Sequence, residues 1–308
     1  MKTETKIVLF LLVVLAVAEG MARVSESSLS ADVRQMLAHD RIPGAIAEAQ
    51  AQGRFCVLVL GNSLARAAVD RVTLEKGLRE KGYHEPLVLY LTPDASGINE
   101  WTAAYRKYFP PGGGGIRPDL LILLTGSSHL LDHPVRSPEK LAAFHASARD
   151  RPAILSSWLT TTSERSRFLL ASVSRLFANR ERIRPLLFYR VVPGYESTAQ
   201  RLNRPEGERS QGAEVEGATV ERFGLLLASL GLPPERVLVA AVPLPEPYAL
   251  PEAVGGLASA RAVRVYREAA LEPWPGEAFP DGYHMGVTFA GKFTMGVIEG
   301  IPVANADL

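Results

Sequence analysis

Four short apolar runs set the narrowest limit on how this chain folds. Residues 55–60, 87–91, 119–124 and 236–243 are rich in Val and Leu, and they show no alternation of wet and dry positions. A strand of that kind is buried on both faces, which happens when helices cover both sides of a parallel sheet. Helical patterns fall between the runs, at 31–52 with a break at Pro43-Gly44, at 65–81 ending on Gly82, and near 99–108. The middle, 137–190, reads mostly helical, and further helices are expected at 257–270 and 286–298. Strands alternating with helices predict an α/β fold with a mostly parallel sheet and helices on both faces. Ligands in such folds bind at the carboxyl ends of the strands. The loops carrying Ser63, Gly97 and Ser128/His129 all follow strands, so they should converge on that edge. The glycine tract 112–115 and the polar stretch 203–216 read as loops. The tract lacks Lys and Ser/Thr in phosphate-loop spacing, so no nucleotide cofactor is expected.

With 47% hydrophobic and 22% charged residues among 308, the chain has the composition of an ordinary globular protein. A net charge of +1, with dispersed arginines and no stripe of aromatic and basic residues, argues against nucleic acid as a partner. Cys56 is the only cysteine, which excludes an internal disulfide framework and a cysteine-rich zinc site. Its place in a strand run reads as a buried, inert thiol.

At the N-terminus Lys2 and Lys6 precede an unbroken apolar run from Ile7 to Ala18. Ala16-Val17-Ala18 offers a cleavage site, while Glu19 to Val24 can continue the same helix. Residues 1–24 are therefore either a signal peptide or an N-terminal membrane anchor. Residues 25–52 form a linker and a leading helical segment, and 53–308 form the main domain. Either reading of the N-terminus places that domain outside the cytoplasm.

Two motifs carry chemistry. In Gly61-Asn62-Ser63-Leu64 a serine follows a strand and opens a helix, where free amides and the helix dipole favour developing negative charge. In Asp281-Gly282-Tyr283-His284 a carboxylate and an imidazole lie three residues apart, close enough to meet across one tight turn. A nucleophile, a base and an orienter make a serine hydrolase apparatus. Each motif also has a plain structural reading: Ser63 as a helix N-cap, and Asp281 as the cap of the last helix. A second constellation, His129, Asp132 and His133, has metal-ligand types at helical spacing, but it lacks the glutamate of the zinc-protease pattern, and Pro134 limits any helix. No metal site is expected there; His129 is expected near the serine and His133 in a structural role. His39, His84 and His145 are expected at the surface.

Gly61-Asn62-Ser63-Leu64 resembles the first block of the SGNH/GDSL hydrolases, with Asn62 in place of the usual Asp, and Asp281-Gly282-Tyr283-His284 resembles their last block. Gly97, in Asp94-Ala95-Ser96-Gly97, is similar to the second-block glycine. The third block departs: Gly126-Ser127-Ser128-His129 has Ser128 where the family has Asn. The resemblance spans roughly 55–300 and implies a flavodoxin-like three-layer α/β/α sandwich. It implies catalysis by Ser63, His284 and Asp281, with the oxyanion met by the Ser63 and Gly97 amides and without the usual Asn donor. The implied activity is ester hydrolysis or acyl transfer through an acyl-serine, with no cofactor. Its partner would be a small-molecule or glycan ester of the cell envelope. The alternative is a non-catalytic protein of the same fold that binds glycan or a protein partner. Oligomeric state is not set by the sequence. Residues 1–30 fused to a reporter that works only outside the cytoplasm should give signal; a silent reporter would refute export.

Overall fold

The computed structural model describes residues 3–112, 115–192 and 218–304. The loop expected at 203–216 lies outside them, as do residues 113 and 114 of the glycine tract. Helix α1 (Thr3–Val24) leads, followed by a 3-10 turn at Glu26–Ser28, α2 (Ala31–Ala38), a second 3-10 turn at His39–Arg41 and α3 (Ile42–Ala51). Next come β1 (Cys56–Leu60), α4 (Ser63–Ala68), α5 (Arg71–Glu80), β2 (Leu87–Leu91), α6 (Ile98–Tyr108) and β3 (Leu120–Thr125). The middle contains α7 (Pro138–Lys140), α8 (Arg151–Ala153), α9 (Thr162–Val173), α10 (Arg175–Ala178) and α11 (Arg180–Val191). The chain closes through α12 (Glu221–Ser229), β4 (Val237–Ala241), α13 (Glu252–Ala260), β5 (Arg264–Tyr266), α14 (Glu268–Leu271) and α15 (Val287–Glu299).

Among the described residues five strands form one sheet, all parallel, in the order β2-β1-β3-β4-β5. That is the flavodoxin-like order. Every residue of β1, β3 and β4 is buried, as the uniform apolar runs require. Side chains alternate between two cores. Leu58, Leu60, Leu121 and Leu123 pack under α3, α6, α12 and α13, with Trp101, Tyr105 and Phe223 as the large fillers. Val57, Val59, Ile122 and Leu124 pack under α4, α5 and α15, with Leu64, Leu74 and Phe293. The result is a three-layer α/β/α sandwich. Cys56 is buried, and burial, with the Asp119 charge second, pushes its thiol up to about 11.

Several boundaries differ from the sequence reading. The helix expected at 65–81 is two helices, because Val69 is extended and Asp70 starts a new N-cap by accepting from the Thr73 amide at 2.9 Å. The helix expected at 257–270 contains a fifth strand instead. Helix α13 ends in a Schellman turn, with Val263 N–H donating to Ala258 O at 2.9 Å and Ala262 at φ +55°. That position usually holds Gly, and an alanine there gives no stop signal. The break expected at Pro43-Gly44 falls earlier, at 39–41; Pro43 sits in the first turn of α3, where it is tolerated. The stretch expected as a linker contains a 3-10 turn with Glu26 buried. His39 and His145, expected at the surface, are 4% and 1% exposed. Burial, the leading influence on His39, holds its pKa down at about 4.

By contacts the chain forms two compact units, one of residues 1–38 and 134–209 and one of residues 39–133 and 210–308. The single domain expected at 53–308 is thus interrupted, since residues 134–209 group with the N-terminal segment. Helix α1 does not stop at the apolar run: it continues to Val24 over 22 residues, long and apolar enough to cross a membrane by length and composition.

Gly61 marks where close packing fixes the turn after β1. A Cβ there would stand 2.5 Å from Ala65 Cβ and 2.8 Å from Leu124 O. Gly61→Ala should therefore lose roughly 1–3 kcal/mol of stability. Gly255→Ala, in α13 with nothing within 4 Å of the added methyl, should be neutral or gain up to about 1 kcal/mol. Urea unfolding of both variants checks this; equal midpoints for Gly61→Ala and wild type would refute the close approach.

Candidate active site

The site begins where β1 runs out of buried positions. Leu60 is the last strand residue, Gly61 allows the tight approach, and Asn62 takes an extended conformation as the N-cap of α4. Its Oδ1 accepts from the Leu64 amide at 3.0 Å. Asn62, not Ser63, thus caps the helix, and Ser63 becomes the first helical residue with its hydroxyl free to turn outward. From β1 the chain passes to the face packed by Leu64 and Ala65; from β3 it passes to the opposite face, packed by Leu130 and Leu131. Adjacent strands whose exits diverge form the crevice where open α/β sheets bind ligands.

The segment before α15 reaches the same edge. Asp281 builds a tight turn: its Oδ1 accepts from the amides of Tyr283 at 2.9 Å and His284 at 2.7 Å. Gly282 supplies the left-handed backbone, φ +80°. The other oxygen, Oδ2, lies 2.7 Å from His284 Nδ1, and His284 Nε2 lies 2.9 Å from Ser63 Oγ. An ionised carboxylate only accepts, so Nδ1 carries a proton and a neutral ring receives the Ser63 hydroxyl at Nε2. The structure therefore joins Ser63, His284 and Asp281 in one chain of hydrogen bonds. Asp281 does not cap α15, whose N-cap is Gly286. Ser63 is half-buried, while the side chains of His284 and Asp281 are 35% and 56% exposed, so the relay opens to solvent. Tyr283 meets the His284 ring edge-on at 5.2 Å, and buried Met285 anchors the turn below.

Burial pushes the Asp281 carboxyl up. The hydrogen bond from the His284 ring, the two amide bonds and the imidazole charge together outweigh it and hold the group at about 2.

The remaining expected residues gather on the neighbouring loops in a different arrangement. Asn62 Nδ2 donates to Ser96 O at 3.1 Å and lies 3.3 Å from His129 Nε2. The Gly126 amide donates to His129 Nδ1 at 3.0 Å, which leaves the proton of a neutral ring on Nε2, facing Asn62. Ile98 N–H donates to His129 O at 2.9 Å. The loop after β2 is thus tied to Asn62 through Ser96 O and to His129 through the Ile98 amide, while Asn62 Nδ2 and His129 Nε2, both donors, only pack against each other. Arg66 adds a clamp from α4, pairing with Asp94 at 2.7 Å and donating to Thr92 O at 3.3 Å.

One expected donor is engaged elsewhere. The Gly97 amide, expected to meet an oxyanion, donates to Glu100 Oε2 at 3.1 Å in the capping box of α6. A buried carboxylate already holds that donor. In the loop after β3 the Ser128 carbonyl lies 3.0 Å from His133 Nε2, and His129 reaches Asn62, beside Ser63. Sequence reasoning missed Asn62 as the hub, although its place directly before Ser63 was the available signal. The rival constellation does not converge. Asp132 caps the start of α12, accepting from Glu221 N at 2.7 Å and Arg222 N at 3.1 Å, and no group able to hold a metal occurs among the described residues.

No protein-family model, no curated protein and no solved structure matches this chain.

A carboxylate held at about 2 stays ionised through mild acid. Its interactions stabilise the fold fully above the ordinary Asp value near ~4 and are lost as pH falls from there toward about 2. A carboxyl-carbon NMR titration of Asp281 should give a midpoint near 2, moving upward in His284→Ala, which removes the ring bond and leaves the amide bonds. A midpoint unchanged by that substitution would refute the direct contact.

Proposed function

We propose that the chain is an SGNH-like serine esterase or O-acyltransferase that works through an acyl-serine at Ser63. The observation that carries the reading is the relay from Asp281 to His284 to Ser63, with separations of 2.7 and 2.9 Å, at the carboxyl edge of a doubly wound parallel sheet. His284 Nε2 takes the Ser63 proton as Oγ attacks the ester carbonyl, and Asp281 stabilises the resulting imidazolium. The tetrahedral intermediate places negative charge on the former carbonyl oxygen. The Ser63 amide belongs to the first turn of α4, whose N–H groups have no intrahelical acceptor, so it is suited to that charge. Collapse expels the alcohol, which takes the proton from His284. Water or an acceptor hydroxyl, deprotonated by His284, then releases the acyl group. The substrate class proposed is an ester of the cell envelope, such as an acylated glycan, because the apolar α1 leads the chain.

A second reading has its own support. The Gly97 amide is engaged by Glu100, and the third-block Asn of the family is Ser128 here, so two donors that the family uses are not offered in that form. One donor is worth ~10²–10³ in rate. A protein that keeps the fold and binds a glycan or protein partner without turnover fits that deficit.

Two assays separate the readings. A fluorophosphonate probe should label wild type at Ser63 and leave Ser63→Ala unlabelled. Hydrolysis of p-nitrophenyl acetate should vanish in Ser63→Ala, fall by ~10²–10⁴ in Asp281→Asn, and hold or rise in Ser128→Asn, where an amide reaches further than a hydroxyl. Absence of labelling in wild type and in Ser128→Asn replaces the enzyme with the binding protein.

A further inference from the structure

The helical unit of residues 1–38 and 134–209 contains a feature that the proposed chemistry does not use. Glu19, near the end of α1, accepts from Ser174 Oγ at 2.8 Å and from the amides of Arg175 at 2.9 Å and Leu176 at 3.0 Å. It thereby supplies the missing acceptors at the start of α10. Arg23 pairs with Glu19 at 2.8 Å and donates to Val173 O at 2.9 Å. The corner between α9 and α10 is thus clamped to α1 at a defined height. One turn closer to the N-terminus, about 6 Å along the axis, Leu15 lies within the apolar run and lines a groove of about 640 Å³.

The rest of that groove comes from α9, α10 and α11. Its walls are apolar, with Leu170, Leu176, Phe177, Ile183 and Phe188, and its polar lining is Ser174, Arg180 and Arg184. Ser174 is committed to Glu19 and to the Phe177 amide. Arg180 lies over the Phe177 ring at 4.2 Å and pairs with buried Glu139. Arg184 is 60% exposed, with Glu181 at 3.8 Å as its acidic neighbour. On α9, which contributes Leu170 to the groove, apolar side chains stand in solvent: Leu169 at 52%, Leu170 at 49% and Val173 at 69%. A soluble surface seldom gathers such residues, and a cluster of them marks an interaction face. Charge points the same way, since residues 134–192 hold eleven Lys and Arg against four Asp and Glu.

We propose that this groove binds an anionic phospholipid of the membrane that α1 crosses, with an acyl chain along Leu15, Leu170, Leu176, Ile183 and Phe188 and the phosphate at Arg184. Continuity with α1 selects the occupant. The groove is continuous with the span, because Leu15 of the apolar run is one of its lining residues. The excess of arginine selects an anionic headgroup over a zwitterionic one.

The test uses the full chain in detergent, delipidated and then offered dioleoylphosphatidylglycerol or dioleoylphosphatidylcholine, with retention read by native mass spectrometry. Wild type should retain one phosphatidylglycerol roughly fivefold or more above phosphatidylcholine, about the factor expected for one cationic side chain near a membrane. Arg184→Gln should bring the two lipids level, and Leu176→Trp, which fills the groove, should lose both. Soluble glycerol phosphate should not displace the lipid. If a variant aggregates, the wild-type ratio still decides, and a ratio near one overturns the proposal. Retention unchanged in a folded Leu176→Trp, or displacement by glycerol phosphate, overturns it as well. A mature N-terminus beyond Leu15 would remove one wall and end the proposal without touching the esterase reading.

Discussion

Double burial of the parallel strands governs everything else in the sheet-containing unit. Strands β1, β3 and β4 have no side that can face water, so helices must cover both surfaces, and the chain must cross over between strands. Polar chemistry is thereby excluded from the strands and confined to their ends. Because β1 lies between β2 and β3, the exits of β1 and β3 diverge, and a crevice opens above them. Ser63 stands at the mouth of that crevice as a direct consequence of where Leu60 ends and how closely Gly61 packs.

Within the crevice a single carboxylate holds most of the order. Asp281 folds its own turn with one oxygen and aligns His284 with the other. A three-residue spacing suffices because the turn is stabilised by the same group that orients the ring. Asn62 plays a parallel role on the other side. Its oxygen caps α4, and its nitrogen ties the loop after β2 and stands against His129. Ser63 is thus set between two polar side chains that are each fixed by backbone amides, an arrangement that limits rotamer freedom at its hydroxyl. The surrounding loops do not supply every donor that the resemblance implies, since α6 uses Gly97 and Glu100 to satisfy its own N-terminus.

The sequence alone determined the architecture and the relay. Four uniform apolar runs required a parallel sheet covered on both sides, and the two motifs named the three residues that the fold brings together. These signals were legible because they are local: burial on two faces shows in the composition of a strand, and a carboxylate three residues from an imidazole meets it within one turn. Tertiary structure decided what depends on partners remote in sequence. The strand at 264–266 was hidden because Ala262 occupies a left-handed position that carries no glycine to announce it. His39 and His145 are buried by packing that no local pattern records. The commitment of Gly97 to Glu100 and the approach of His129 to Asn62 arise from how separate loops meet above the sheet. Which amides remain open at the crevice is therefore a property of the assembled edge, because each amide can be spent only once.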